Sequence, residues 1–293
     1  MILETDVVFG ARTTYRVGGR ASRSVEISSI EDLHDLAGMI DSSTEIYVLG
    51  RGSNTLVADA GFNGVVVHLS EEFGEIQFPD PGSHTMVAGG AVDLPIAARR
   101  SVEAGLTGFE WAVGVPGSIG GAVRMNAGGH GSDMAASVTT IEIFDLDRGE
   151  VRILGPEEAG FGYRSSSIGS RHVVLAASLK LGPGDVERGR EEIREIVRWR
   201  REHQPGGANC GSVFTNPTGD SAGRLIEAAG LKGLRHGSAH VSEKHANFIQ
   251  ADAGGLADDV AALMATVAAA VSTLEGVDLV SEVRMVGFDV GEI

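Results

Sequence analysis

One stretch of the chain decides the fold: Gly114-Val115-Pro116-Gly117-Ser118-Ile119-Gly120-Gly121-Ala122, continued by Met125-Asn126-Ala127-Gly128-Gly129-His130-Gly131. Glycine loses more backbone entropy on ordering than other residues, so helix and strand interiors do not select this composition. Such a density favours positive φ angles, or a backbone that approaches a ligand without Cβ atoms. Successive N–H groups exposed in such a loop bind anions, and a nucleotide pyrophosphate is a suitable one. The alternative is a tight loop packed on its own sheet.

A second glycine loop, Gly50-Arg51-Gly52-Ser53-Asn54-Thr55, directly follows a short predicted strand at 45–49. N–H groups and small hydroxyls at the end of a strand commonly bind phosphates. The loop is not the dinucleotide fingerprint, because Thr55 stands in place of its third glycine, and it is not a P-loop. Two such loops are what a dinucleotide held from two sides requires.

Composition narrows the class of protein. The 293 residues are 42% hydrophobic and 22% charged, which is typical of a globular protein of two or three domains. The net charge of −16 disfavours nucleic acid as a partner, because binding to a polyanion needs a basic surface. Cys210 is the single cysteine, so no internal disulfide forms, and a reducing compartment is expected. The N-terminus has no signal-peptide pattern and no apolar run reaches membrane length, so we expect a cytoplasmic protein without membrane insertion. A monomer is a separate expectation.

The secondary-structure pattern predicts an α+β fold. Hydrophobic periodicity and capping residues predict two strand-containing lobes, a charged helix and a further α+β segment. Predicted strands are 24–27, 45–49, 64–69, 85–88, 138–146, 150–154, 173–181 and 279–286; predicted helices are 30–40, 95–104, 186–202, 221–229 and 256–274. The predicted domains are a first lobe at 1–70, a second lobe at 71–184, a surface linker helix at 185–207 and a C-terminal domain at 208–293.

Three polar residues could carry chemistry. Arg164 leads into three serines, and its guanidinium could bind a carboxylate through two nitrogens or simply lie in solvent. Ser212 lacks the Gly-x-Ser-x-Gly surroundings of a serine hydrolase, so it is either a proton donor or a structural loop serine. Glu282 shares one face of the last predicted strand with Arg284, where the two could also form an exposed ion pair.

Motifs in a fixed order along nearly the whole chain resemble one family. After the two glycine loops come Gly162-Tyr163-Arg164-Ser165-Ser166, Gly211-Ser212-Val213-Phe214-Thr215-Asn216-Pro217, Val241-Ser242-Glu243-Lys244-His245-Ala246-Asn247-Phe248 and Ser281-Glu282-Val283-Arg284. This set is similar to that of the UDP-N-acetylenolpyruvoylglucosamine reductases. The resemblance implies a two-lobed FAD-binding domain of the vanillyl-alcohol-oxidase type, followed by a smaller substrate-binding domain. It also implies noncovalent FAD, NADPH as reductant and a UDP-sugar substrate in peptidoglycan precursor synthesis.

The resemblance further assigns roles to individual residues. Arg164 and Glu282 would polarise the enolpyruvyl carboxylate, and Ser212 would protonate the α carbon. Substrate-binding positions would be Tyr163, Asn216, Arg284 and His130. Cofactor-binding positions would be Gly50, Arg51, Gly52, Ser53, Asn54, Thr55, Gly114, Val115, Pro116, Gly117, Ser118, Gly121, Ala122, Asn126 and Gly128. No metal site is expected, because His236, His240 and His245 lack a ligand motif.

The chain departs from the family pattern at two positions. His130 stands where an aromatic residue is frequent, and Thr215 stands where a lysine is frequent, which removes a possible phosphate contact. The tyrosine-bearing substrate loop of one branch has no counterpart, which favours the shorter branch. Two other functions stay open: a flavin oxidase or dehydrogenase acting on another sugar or alcohol, and a nucleotide-binding module without catalysis.

Overall fold

The computed structural model describes residues 1–80 and 82–288. Within these residues the strands are β1 Ile2–Val8, β2 Arg20–Ile27, β3 Ile46–Val48, β4 Thr55–Val57, β5 Phe62–Leu69, β6 Ile76–Gln77, β7 Thr85–Gly89, β8 Leu106–Thr107, β9 Gly128–Gly129, β10 Ser132–Asp133, β11 Val138–Asp145, β12 Glu150–Leu154, β13 His172–Lys180, β14 Gly182–Pro183, β15 Arg235–His236, β16 Ala239–Val241, β17 Ile249–Ala251 and β18 Arg284–Val286. The α-helices are α1 Ile30–Met39, α2 Leu94–Glu103, α3 Ile119–Met125, α4 Pro156–Ala159, α5 Val186–His203, α6 Ala222–Ala228 and α7 Ala257–Glu275.

The chain divides into two compact units. Unit 1 comprises Met1–Glu4, Arg23–Arg51 and Gly64–Arg200, and unit 2 comprises Thr5–Ser22, Gly52–Asn63 and Arg201–Ile293. The glycine loop at residues 50–55 is therefore divided, since Arg51 ends a segment of unit 1 and Gly52 begins one of unit 2. The four-part division at residues 70, 184 and 207 stays a prediction.

Unit 1 is built on two sheets. A four-stranded sheet has the order β1-β2-β5-β3, and a five-stranded antiparallel sheet has the order β12-β11-β13-β7-β6. Strands β3 and β5 are parallel, with Ile46 opposite Val65. The crossover helix α1 begins at Ser29, whose hydroxyl accepts the Asp32 N–H while the Asp32 carboxylate accepts the Ser29 N–H.

Two hydrophobic clusters form the interior of unit 1. The larger one joins α2, α3 and the five-stranded sheet, and it also takes in Ile193 and Ile196 of α5. The sequence predicted α5 to be a surface linker helix, but these two side chains belong to the unit 1 core. Gly189 lets α5 come close, because a Cβ atom there would lie 2.8 Å from a methyl carbon of Val102.

Unit 2 packs around helix α7. By length and hydropathy α7 could cross a membrane, but Val260, Leu263, Met264, Val267 and Val271 are buried in the unit 2 core. The apolar stripe of α7 is thus accounted for by packing against α6 and the sheet β15-β16-β17.

The last predicted strand is shorter than the sequence pattern indicated. Residues 284–286 form β18, parallel to β4, whereas Ser281 makes an isolated antiparallel bridge with Phe214. The chain changes its hydrogen-bonding partner between Ser281 and Arg284, so a single alternating strand over 279–286 does not form.

Candidate active site

A cavity of about 520 Å³ in unit 1 is lined by both glycine-rich stretches. Gly50 and Arg51 line it from the end of β3, while Ser118, Gly120 and Gly121 line it from the start of α3. Strand ends and helix N-termini are common positions for phosphate groups. The fold thus joins two segments that are far apart in sequence into one place suited to a dinucleotide.

Gly50 lies directly against the residue that caps α3. A Cβ atom at Gly50 would lie 2.5 Å from Ser118 Oγ, and that hydroxyl accepts the Gly121 N–H at 3.3 Å. Among the hydrogen bonds within residues 1–80 and 82–288, none uses the backbone N–H of Gly50 or Arg51. The glycine loop at residues 50–55 therefore offers donors to an anion in the cavity.

The first turn of α3 does not offer the expected row of exposed N–H groups. Ile119 N donates to Val92 O at 2.8 Å, and Gly120 N donates to Gly90 O at 2.9 Å. A Cβ atom at Gly120 would lie 3.1 Å from the same Gly90 oxygen. The expectation of free N–H groups is wrong for residues 119–121, because here the absence of Cβ atoms serves close packing on the segment after β7.

Charged side chains line the same cavity. Arg51 donates through two guanidinium nitrogens to Asp93, and this hydrogen bond raises the pKa of Arg51. Arg124 also lines the cavity, from the last turn of α3. The sequence did not single out Arg124 or Asp93, because nothing in their spacing distinguishes them from solvated helix residues.

The second half of the glycine loop at residues 50–55 belongs to unit 2. Gly52 has a φ of 62°, and a Cβ atom there would lie 2.6 Å from Arg12 O. Asn54 donates from its side chain to Glu282 O at 2.9 Å and accepts the Arg284 N–H on its carbonyl at 2.9 Å. Asn54 thus fixes the segment that carries Glu282.

Arg164 projects from a tight turn in unit 1. Gly162 and Ser165 close the turn by mutual backbone hydrogen bonds, and Arg164 has a left-handed φ of 53°. Its Nη2 donates to Gly128 O at 2.8 Å, and its guanidinium carbon lies 5.0 Å from the centre of the Tyr163 ring. The fork of the guanidinium is therefore held in a fixed position beside an exposed aromatic ring.

His130 lies at the tip of the β9–β10 hairpin of unit 1. Its ring meets the Trp199 ring of α5 edge to face at a centroid distance of 5.2 Å. Burial, together with the nearby Arg200, lowers the pKa of His130. A Cβ atom at Gly114 would lie 3.2 Å from the imidazole, so this glycine makes room for the histidine.

Ser212 and Cys210 do not share a face, because the segment is not extended. Gly211 between them has a φ of 84°. Cys210 is buried in the unit 2 core beside Tyr15, whereas Ser212 is partly exposed. Burial raises the pKa of Cys210 to about 12. The thiol therefore stays protonated in the core, so Cys210 is a passive residue rather than a nucleophile.

The segments of Ser212 and Glu282 are neighbours in unit 2. Glu282 N donates to Val213 O at 2.8 Å, and Phe214 forms a bridge with Ser281. Asn247 fixes the first segment, accepting the Phe214 N–H at 3.0 Å and donating to Phe214 O at 2.8 Å. Asn247 was missed as a contributor, although it lies in a motif already recognised.

The other predicted residues are distributed between the two units. Asn216 of unit 2 accepts the Ala222 N–H at 3.1 Å and so fixes the start of α6, while Arg284 is exposed. Ser53 and Thr55 belong to unit 2, and the remaining predicted cofactor residues lie around α3 in unit 1: Val115, Pro116, Gly117, Ala122, Asn126 and Gly128. Among the described residues, no group of three His, Cys, Asp or Glu side chains could hold a metal ion.

Comparison with known proteins gives matches along almost the entire chain. The C-terminal domain of UDP-N-acetylenolpyruvoylglucosamine reductase matches residues 203–286, and an FAD-binding domain matches residues 21–155. A UDP-N-acetylenolpyruvoylglucosamine reductase of Rubrobacter xylanophilus is 41% identical over 280 residues, which are 94% of this chain and 92% of the relative. The chain belongs to the UDP-N-acetylenolpyruvoylglucosamine reductase family.

Further members of the family agree with this assignment. The reductase of Heliobacterium modesticaldum is 43% identical over 96% of this chain and 90% of its own length. The crystal structure of the reductase from Thermus caldophilus is 36% identical and superposes with a TM-score of 0.83 over 98% of this chain and 99% of that one. The predicted family and the predicted α+β fold with an FAD-binding domain are therefore confirmed.

Proposed function

We propose that this chain reduces UDP-N-acetylenolpyruvoylglucosamine to UDP-N-acetylmuramate with NADPH, a step of peptidoglycan precursor synthesis. The observation that carries the proposal is the match of both the FAD-binding domain and the family's own C-terminal domain. An FAD-binding fold alone would leave the substrate open, because one fold supports many chemistries. The C-terminal match and the named relatives select this substrate class.

FAD is the cofactor, and the residues lining the unit 1 cavity suit it. Gly50 and Arg51 offer N–H groups, Ser118 offers a hydroxyl, and Arg124 supplies a positive charge for a pyrophosphate. The missing Cβ atom at Gly50 leaves the loop close to Ser118. Bound there, FAD would supply the hydride-transfer chemistry between NADPH and the substrate double bond.

Arg164 is the proposed partner of the enolpyruvyl carboxylate. Hydride addition at the β carbon develops negative charge towards the α carbon and the carboxylate, so a fixed cation beside them lowers the barrier. The Arg164 guanidinium is such a fixed cation, because its Nη2 donates to Gly128 O and it lies over the Tyr163 ring. A preorganised group loses little free energy in reorientation when the charge forms.

Ser212 is the proposed proton donor to the α carbon, which completes saturation of the double bond. Glu282 is proposed to assist, because a carboxyl in its protonated form can donate a hydrogen bond to the developing enolate. The pairing of Val213 with Glu282 supports these roles, since it makes the two segments neighbours. Tyr163, His130, Asn216 and Arg284 are the proposed substrate-binding residues.

The remaining assignments follow from composition. We propose that the protein does not bind nucleic acid, because its net charge of −16 opposes binding to a polyanion. A cytoplasmic location is proposed, because NADPH and nucleotide sugars are cytoplasmic reactants and the single cysteine suits a reducing compartment. The proposed oligomeric state is a monomer.

Anaerobic kinetics test the function directly. The FAD-loaded protein should bleach with NADPH, and the flavin absorbance should return when UDP-N-acetylenolpyruvoylglucosamine is added. Return only with oxygen would indicate a flavin oxidase, and absence of bleaching would indicate a binding module. Either result would contradict the proposal.

A further inference from the structure

We infer that Asn126 is a positioning residue for Arg164 and does not bind FAD. The inference rests on the role of Arg164 proposed above. Asn126 ends α3 in a left-handed conformation, with φ 41° and ψ 55°, and only 3% of it is exposed. Asparagine adopts this conformation more readily than most residues with a Cβ atom.

The Asn126 amide is already engaged with protein groups. Its Oδ1 accepts the Ala135 N–H at 2.9 Å, and its Nδ2 donates to Gly162 O at 2.9 Å and to Asp133 Oδ2 at 3.2 Å. A side-chain amide carries two N–H donors, and the two contacts to Gly162 and Asp133 use both. A hydrogen bond donated by Asn126 to a cofactor would therefore require one of these bonds to break.

These contacts form a hydrogen-bonded ring that includes Arg164. Asn126 holds Gly162, the first residue of the turn from which Arg164 projects. Arg164 reaches back to Gly128 O, Gly128 pairs with Asp133 across β9 and β10, and Asp133 accepts the second Asn126 N–H. The ring thus fixes both the base of the turn and the carbonyl that receives the guanidinium.

Backbone conformation gives independent support. Left-handed residues other than glycine tend to occur where surrounding contacts impose them, often at functional sites. Three of the six such residues in the described part of the chain lie in this ring or its hairpin: Asn126, His130 and Arg164, against Asp6, Arg16 and His84 elsewhere. The backbone around Arg164 is therefore constrained, as a fixed position of the Arg164 side chain requires.

Asn126→Asp is the decisive variant, because it keeps the size and the acceptor for Ala135 but replaces both donors with an oxygen. We expect the reoxidation of NADPH-reduced flavin by substrate to slow by about 10- to 100-fold, since misplacement of about 1 Å has effects of this order. Flavin reduction by NADPH and FAD retention on ultrafiltration should stay within about two-fold of wild type. Ser101→Ala, which deletes a buried hydrogen bond to Ala98 O in the same unit, should leave all three unchanged.

A double-variant cycle separates positioning from general weakening. If Asn126 acts through Arg164, adding Asn126→Asp to Arg164→Lys should slow reoxidation by less than about three-fold. Multiplicative effects of the two substitutions, or weaker FAD retention together with a normal reoxidation rate in the FAD-saturated variant, would overturn the inference. If Asn126→Asp does not fold, Asn126→Gly, which keeps the left-handed backbone, takes its place, and failure of both to fold would also overturn it. Normal reoxidation in Arg164→Lys alone would instead contradict the role proposed for Arg164.

Discussion

The backbone N–H of Glu282 donates to the carbonyl oxygen of Val213 at 2.8 Å. This bond connects the last segment of the chain to the residue after Ser212, and it makes the proposed proton donor and the proposed acidic partner members of adjacent strand-like segments. Asn54 fixes one segment through Glu282 O, and Asn247 fixes the other through the Phe214 backbone. Their relation therefore depends on four parts of unit 2.

Ser212→Ala should impair only the oxidative half-reaction. Positioned acid catalysis contributes about 10²–10⁴-fold, or about 3–5 kcal/mol of barrier, so reoxidation by substrate should slow by that amount. Reduction by NADPH should be nearly unchanged. Stopped-flow absorbance of each half-reaction makes the measurement.

Cys210→Ala is the matched control for Ser212→Ala. The Cys210 thiol is buried and its pKa is raised to about 12, so the substitution should leave both half-reactions close to wild type. If Cys210→Ala strongly slowed reoxidation by substrate and Ser212→Ala slowed it only slightly, the thiol would be the proton donor and the assignment of Ser212 would be refuted.

Arg164→Lys should slow reoxidation by substrate far more than reduction by NADPH. Lysine keeps the charge but lacks the planar fork that contacts Gly128 O and leaves further N–H groups in one plane. A reduction of about 10²-fold in reoxidation is expected, the order found when one donor to a developing charge is removed. Equal slowing of both half-reactions would indicate a contact to the cofactor instead.

Gly50→Ala should weaken FAD retention and destabilise the start of α3. The new Cβ atom would lie 2.5 Å from Ser118 Oγ, so the hydroxyl must rotate away from the Gly121 N–H that it caps. Loss of such a cap costs about 0.5–2 kcal/mol. Thermal unfolding and flavin release on ultrafiltration measure the two effects.

Two further variants test that explanation. Gly50→Ala should cost less stability on a Ser118→Ala background, because the clashing hydroxyl is gone. Gly38→Ala, at an exposed site in α1 with no atom within 4 Å of the new Cβ, should stabilise the fold by about 0.5–1 kcal/mol and keep FAD. Equal loss of FAD in the Gly38 and Gly50 variants would show that the effect is not local.

Asp145 should contribute to stability at neutral pH and lose that contribution in acid. Burial by itself would raise the pKa of Asp145, but the Arg148 and Asp147 N–H groups and the nearby His172 and Arg152 outweigh it and lower the pKa. A lowered pKa means that the stabilisation is present above the unfolded value of about 3.9 and is lost as the pH falls through the folded value. Asp145→Asn should therefore lower the unfolding free energy by about 1–3 kcal/mol at pH 7.

Urea denaturation at several pH values checks the sign for Asp145. The difference between wild type and Asp145→Asn should be constant from pH 7 to about pH 5 and shrink below about pH 4. A difference that grows as the pH falls would mean that the carboxylate is destabilised by its surroundings.

The predicted helices and strands agree best with the structure where the local signals are strong. The Ser29 capping box, the apolar spacing of α7 and the hairpin pairing of Asp145 with Glu150 all depend on residues close in sequence. The motif order also identified the family, because glycine and polar motifs at fixed spacing can be recognised without a three-dimensional structure. Residues such as Arg124 and Asp93 were missed, since only folding brings them to the cavity.

The sequence by itself determined the family, the cofactor class and most elements of secondary structure, because these follow from local pattern and motif order. Only the tertiary structure decided which hydrogen-bonding groups are used. In the folded chain, the N–H groups of Ile119 and Gly120 donate to the carbonyl oxygens of Val92 and Gly90. Cys210 is buried in the core, whereas Ser212 is partly exposed. The physical reason is that a donor's partner and a residue's φ are set by segments distant in sequence, as with the Asn54–Glu282 bond across 228 residues.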